Sequence, residues 1–270
     1  MAPEPTGRRA RNRVARYDQL LRSASEIVTE VGLDGLTMQA VADRVDCAVG
    51  TIYTYFDSKS ALIAALQISA IQTLIGTYHR SAEQWDEALE DTDEAIASLV
   101  RFIAFGRLFV AFPDINPREF ELLQMLITSR ERVIATQDAV AVVPHALTLL
   151  NEGKVLLDRA VSAGALTEDP DRPGTDSMSR TLRWAGGLDG ALLVASAGDD
   201  PSLAGAAAVF HAPTLSQRLT EDLLSAWGAP PKTLAAAIAE VDRMEAQVAL
   251  FPAAITVDGI VTDGIVTDGV

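Results

Sequence analysis

What the chain lacks narrows its chemistry before anything it contains. A single cysteine, Cys47, stands in 270 residues, which excludes an intrachain disulfide framework and suits a reducing compartment. Its place in a turn reads as a small buried hydrophobe, with a redox switch as the alternative. The three histidines, His79, His145 and His211, lie far apart and gather no second ligand type, so no metal site is expected. G-x-S-x-G, H-E-x-x-H, C-x-x-C and a Gly-rich phosphate loop are all missing; no catalytic residue and no cofactor is expected, and the chain reads as a non-enzyme. The longest uninterrupted apolar runs, such as 191–197, fall well short of a bilayer. The basic N-terminal stretch leads into polar residues instead of an apolar segment, so no membrane or targeting element is expected and the location reads as cytoplasmic. Aromatics make up only 6% against 49% hydrophobic residues, with Ala and Leu abundant. That composition points to packed helices and an all-α fold.

Base is scarce too: the net charge is −15, which at first argues against nucleic acid as a partner. The distribution reverses that. Residues 1–59 hold eight basic and eight acidic side chains and so cancel, leaving the whole deficit on the remainder. Residues 1–22 alone carry +4, with five arginines from Arg8 to Arg16. A basic end suits phosphates while an acidic body limits indiscriminate binding. Residues 1–12 read as a disordered basic arm, with a merely solubilising tail as the alternative.

The rest of the chain is organised around residues 36–62, LTMQAVADRVDCAVGTIYTYFDSKSAL. Thr37 can cap a first short helix whose apolar face is Val41, Ala42 and Val45. Asp46, Cys47 and Ala48 make a turn. Residues 50–56 form a second helix anchored by Ile52 and Phe56, with Thr51, Thr54 and Tyr55 on its other sides. Tyr53 and Tyr55 sit about 200° apart around a helix, so both cannot enter one core. Ser58 can cap the next helix, where Lys59 and the free N–H groups together make an anion site. A helix-turn-helix needs that division between anchors and outward hydrogen-bonding groups.

The run GTIYTYFDSKSAL at 50–62 closely resembles the G-T-[LIV]-Y-x-[YH]-F-x-[SN]-K-x-x-L signature of the tetracycline-repressor (TetR) family, and residues 35–42 fit its G-L-T-x-x-x-V-A pattern. Two positions depart from the family: Asp46 replaces a usual Gly, and Ala48 a usual Ser. Asp tolerates a left-handed backbone, so the turn survives; Ala48 cannot cap the recognition helix. The resemblance implies an N-terminal three-helix DNA-binding domain (13–60) and a larger helical effector-binding and dimerisation domain (61–250). It implies a homodimeric, ligand-released repressor on a pseudo-palindromic double-stranded DNA operator. It places Gln39, Val49, Gly50, Thr51 and Thr54 near bases, Val49 meeting a thymine methyl. Thr37, Tyr53, Tyr55 and Lys59 fall near phosphates, with Arg8, Arg9 and Arg11 of the arm beside them.

Beyond the motif, helices are expected over 13–31, with Leu20, Ala24, Ile27 and Val31 inward and Gly32 as the stop, and over 58–80. Residues 83–93 read as an acidic loop. A helix over 92–112 carries Phe102, Phe105, Phe109 and Phe112 on one stripe, ended by Pro113; it is core, pocket wall, or both. Further helices are expected over 118–129 and 144–163. Gln124, Arg180 and Trp184, with Arg101 and Arg107, can present polar groups to the same cavity, which suits a small amphipathic or hydrophobic effector. Helices over 177–197, with Trp184 and Leu188, and past Pro213, with Leu215, Leu219 and Leu223, make the implied dimer interface, or else intrachain core. One more helix is expected from 232. The five-residue repeat ITVDG-IVTDG-IVTDG closing 251–270 reads as a flexible tail, with hairpin-like pairing as the alternative. The rival class is an enzyme or plain small-molecule-binding helical protein in which the helix-turn-helix-like segment is not regulatory.

Overall fold

The computed structural model of the chain describes residues 7–128, 135–169, 171–197, 210–247 and 251. The repeat of the C-terminal tail lies outside these, as do residues 1–6. All regular structure among the described residues is helical: α1 (Arg8–Gly35), α2 (Met38–Arg44), α3 (Val49–Tyr53), α4 (Lys59–Ala88), α5 (Glu94–Ile115), α6 (Pro117–Thr128), α7 (Thr136–Ser162), α8 (Ser177–Ala197), α9 (Ala212–Ala226) and α10 (Pro231–Gln247). They fall into two compact units. The first takes in Met1–Thr73 and Asn116–His145, the second Leu74–Ile115 and Ala146–Ala254.

In the first unit, Leu20, Ala24 and Ile27 of α1 are buried with Val41, Ala42, Ile52 and Phe56. Two expectations for α1 are corrected. It begins at Arg8, not at 13, with Gly7 as N-cap, so Arg8, Arg9 and Arg11 are helical and exposed, while residues 1–6 of the expected arm lie outside the described residues. The stretch RRARNRVAR is rich in strong helix formers, which carries the helix outward. Gly32 does break the helix, at φ 73°, yet Val31 beside it turns outward and is 62% exposed. α6 packs on α1, and the backbone N–H of Ala135 donates to Ser60 Oγ at 2.7 Å, so residues far along the chain complete this unit.

The second unit is built around α5, which is apolar almost all round and therefore central. Pro113 lies inside its last turn and does not end it at Phe112; the bond its missing N–H would have made to the Phe109 carbonyl is outweighed by the burial of α5. α4 runs to Ala88 through part of the stretch expected as an acidic loop, because Trp85 is buried beside Tyr78, ring centroids 6.1 Å apart. α7 begins at Thr136, eight residues before the expected 144, and takes Pro144 into its interior.

The centre is aromatic. Trp184 of α8 lies 4.3 Å from Phe102 and 5.7 Å from Phe105, centroid to centroid, and its indole N–H donates to Thr220 Oγ1 of α9 at 3.1 Å. Glycines make room: a Cβ at Gly106 would stand 2.9 Å from Trp184 Cζ2, and one at Gly187 would stand 2.4 Å from Leu219 Cδ2. α10 closes the unit by laying Ala237, Val241 and Met244 into the same core and packing on α5.

Measured over 18-residue windows, α4, α5 and α7 are each long and apolar enough to cross a membrane by length and composition alone. In α5, 72% of the window is buried inside the molecule, so its apolarity is already used by the core.

Helix propensity alone favours Ala over Gly at 106 by up to about 1 kcal/mol. The ring of Trp184 cannot retreat, and overpacking costs about 1–3 kcal/mol. Gly106→Ala is therefore expected to lower stability in urea denaturation; a gain would mean that Trp184 has room to move.

Candidate nucleic-acid interface and ligand site

The turn between α2 and α3 is a Schellman motif with Asp where Gly is usual. Asp46 has φ 50°; its N–H donates to Asp43 O at 3.3 Å, and the N–H of Cys47 donates to Ala42 O at 3.0 Å. Asp46 thus occupies the left-handed position expected of it. Thr37 Oγ1 caps α2 by accepting from the N–H of Ala40 at 3.0 Å, and Ser58 Oγ accepts from the N–H of Ala61 at 3.0 Å. Ala48 caps nothing, so α3 starts without side-chain help and spans only Val49–Tyr53.

Ile52 and Phe56 pin this segment to the core, Phe56 against Tyr17 at 5.1 Å. The anchoring leaves Gly50, Tyr53 and Thr54 exposed, Tyr53 by 50%, with Val49, Thr51 and Tyr55 half-buried. Nothing lies within 4 Å of where a Cβ on Gly50 would sit, so a partner can approach that backbone closely. Thr54 Oγ1 donates back to Thr51 O at 2.7 Å. Gln39 is exposed on α2, its amide donating to Asp43 Oδ1 at 2.6 Å.

Two features escaped the sequence reading. Arg44 does not stand free as part of a basic face: its guanidinium binds Glu30, at 2.9 Å from Nη1 to Oε1, and reaches Glu26 at 3.7 Å, tying α2 to α1. The hydrogen bond from Arg44 holds the Glu30 carboxyl below its ordinary range. Arg13, exposed on α1, lies over the Tyr55 ring with its guanidinium carbon 5.7 Å from the centroid. Both pairings join residues distant in sequence, which local patterns do not encode. Lys59 is half-buried, and its Nζ donates to Leu33 O at 3.1 Å, at the end of α1. Its ammonium has three donors, so this bond leaves two for a phosphate.

Lys59→Ala is expected to weaken binding to every DNA sequence and to reduce the salt-dependence slope by about one. The lost bond to Leu33 O should also lower stability, by about 0.5–1.5 kcal/mol. Arg13→Ala should reduce the slope similarly with less effect on stability, because its ring contact is exposed. Titrations at several salt concentrations beside urea melts check both; an unchanged slope would remove that residue from the contact surface.

The expected ligand-site residues divide between the units. Phe102, Phe105, Phe109, Phe112, Arg180 and Trp184 belong to the second, while Gln124 sits on α6 in the first. Phe102, Phe105 and Phe112 are buried, and Phe109 is partly buried against the same core. Arg101 is paired with Asp86 at 2.6 Å and Arg107 with Asp242 at 2.5 Å. Among the residues expected at a dimer interface, Trp184 and Leu188 are 3% and 1% exposed. They are core within one chain, which corrects that expectation, because the face of α8 that carries them packs inward. Leu215, Leu219 and Leu223 are half-buried on α9.

The sequence model described as bacterial regulatory proteins, tetR family, matches residues 20–66. The repressor KstR of Mycolicibacterium smegmatis is 30% identical over 156 residues, 57% of this chain and 67% of that protein. An uncharacterised helix-turn-helix regulator of Bacillus subtilis, YvdT, is 32% identical over 74 residues, 26% of this chain but only 38% of its own length. Among solved structures, FadR of Bacillus subtilis, in complex with stearoyl-CoA, superposes with a TM-score of 0.55 at 18% identity, over 77% of this chain and 98% of that one. With its capped α2, its left-handed turn at Asp46 and its core-anchored α3 within the matched stretch, the chain belongs to the tetR family and is a DNA-binding regulator of transcription.

Proposed function

We propose that the chain is a ligand-released homodimeric repressor that reads a pseudo-palindromic operator with α3. The observation that carries this reading is the division of residues 49–56. Ile52 and Phe56 are buried, while Gly50, Tyr53 and Thr54 are exposed and Arg13 lies over the ring of Tyr55. Bases fall to Gln39, Val49, Gly50, Thr51 and Thr54; phosphates fall to Thr37, Tyr53, Tyr55, Lys59 and the helical Arg8, Arg9 and Arg11. Selection from random-sequence DNA should return two inverted half-sites about 34–36 Å apart or a multiple of that. Thr51→Ala should relax the selected sequence. Recovery of single, unpaired sites would overturn the dimeric reading.

The dimer face proposed is the outward side of α8, where Leu182, Leu193 and Val194 stay exposed, Leu193 by 57%, together with the half-buried leucines of α9. Leu193→Glu with Val194→Glu should give a folded monomer in sedimentation analysis. Leu219→Glu with Leu223→Glu should unfold the chain, since both side chains also pack on the core.

Asp189 on α8 adds a pH signature. Burial pushes its carboxyl up to about 6. A raised carboxyl is protonated more readily folded than unfolded, so stability falls as pH rises from about 4 to about 6 and stays reduced above. Asp189→Asn should flatten that stretch of the stability–pH curve.

The released ligand is proposed to be small and amphipathic or hydrophobic, consistent with the aromatic centre of the second unit and with a similar fold, FadR, that was solved with stearoyl-CoA. Ligand that lowers operator affinity must bind the DNA-free form more tightly by the same factor. Binding is stoichiometric and without turnover, and the protein works on DNA in the cytoplasm.

A further inference from the structure

Four arginines lie on α5 and α8, the helices that frame the aromatic centre; Arg183 is exposed to solvent, and two of the other three are already neutralised. Arg101 holds Asp86 and Arg107 holds Asp242 and Glu245. Arg180 is different. It is 3% exposed, and among the described residues no carboxylate lies within ion-pairing distance of it. Its Nη2 donates to the carbonyl of Thr167, while Nε and Nη1 are buried with no hydrogen-bond partner. The nearest acidic groups are engaged elsewhere: Glu168 accepts from Ser177 Oγ at 2.9 Å and Asp176 from the N–H of Ser179 at 2.9 Å.

A buried cation with one carbonyl bond and a ring contact is under-compensated, because desolvation costs more than these return. Burial accordingly pulls its pKa down. The surroundings define what would complete the site. The Trp227 ring lies 5.4 Å from the Arg180 guanidinium carbon, and Trp227 in turn lies 6.2 Å from Phe102. Trp184 is four residues along α8 from Arg180, on the same helix face, and packs on Phe102 and Phe105. One unspent guanidinium therefore borders a wall of rings.

We propose that Arg180 anchors the carboxylate of an amphipathic monoanion whose apolar part lies against Phe102, Trp184 and Trp227. A carboxylate supplies at once the acceptor that Nε and Nη1 lack and the missing countercharge. A single negative charge matches the one buried unpaired cation, since Arg183, over the same Trp227 ring, is exposed to solvent, whereas a phosphate dianion would add charge beside Glu168 and Asp176. This deepens, and rests on, the reading of the second unit as the ligand-binding part of a ligand-released repressor.

The test uses the full chain without DNA, by calorimetry and thermal denaturation, with two carboxylates, decanoate and 2-naphthoate, at submicellar concentration. Their neutral counterparts, decanol and 2-naphthol, serve as controls. At least one carboxylate should bind and raise the melting midpoint while its neutral partner binds about tenfold more weakly or worse. Arg180→Gln should lose that preference. Arg180→Lys, which keeps the charge and fewer donors, should retain part of it and serves if the Gln variant does not fold. Equal binding of acid and neutral analogue, binding unchanged in the variants, or no binding by either carboxylate would overturn the proposal, leaving Arg180 as a structural tie between α8 and Thr167. Operator release is read separately. Arg180-dependent binding without release overturns the regulatory reading alone, and release by a neutral ligand indifferent to Arg180 overturns the anion site alone.

Discussion

Trp184 is the side chain on which the second unit is assembled. It reaches from α8 onto Phe102 and Phe105 of α5 and fixes its one polar atom on Thr220 of α9, so three helices meet at one residue. The close approach this requires is carried by absent side chains, Gly106 under the indole and Gly153 against Thr181 and the indole's far edge. A large ring filling a site lined by glycine leaves little tolerance on either side, because interiors are packed as densely as organic crystals. The polar handle matters as much as the bulk: a buried indole N–H without an acceptor is destabilising, and Thr220 supplies that acceptor while bonding back to Ser216 O.

What was legible in the sequence was whatever short-range physics dictates. The cap at Thr37, the left-handed tolerance of Asp46, the anchors Ile52 and Phe56, and the glycine break at Gly32 all act within one or two helical turns, and each stands where periodicity and propensity put it. Ile63, Leu66, Ala70 and Leu74 of α4 are likewise buried at helical spacing. Illegible were arrangements set by distant partners. Trp85 drew an acidic stretch into helix, α6 joined α1, and Trp184 and Leu188 went to the inside of one chain. Prolines misled for a related reason: Pro113 read locally as a break and Pro144 as a helix start, but packing along the remainder of α5 and α7 outweighs one missing hydrogen bond.

Charge follows the same division between local count and global pairing. Eight basic side chains occur in residues 1–59, yet Arg44 is bound by glutamates of α1, and Lys59 already holds a carbonyl. The reading head thus uses part of its basic complement to fix its own geometry, and the arginines of α1 remain outward. Counting charge along the chain locates a basic face, but only pairing tells which cations are left to meet a phosphate.

The notch at Gly187 has a mechanical consequence. Leu219 fills it so closely that no side chain fits between, which sets α8 and α9 in a single register. Sliding one helix past the other by a turn, about 5.4 Å, would require lifting Leu219 clear of the notch and breaking the bond from Trp184 to Thr220. Shear between these two helices is thereby blocked. Strain arriving at either one moves both together, as a single stiff lever.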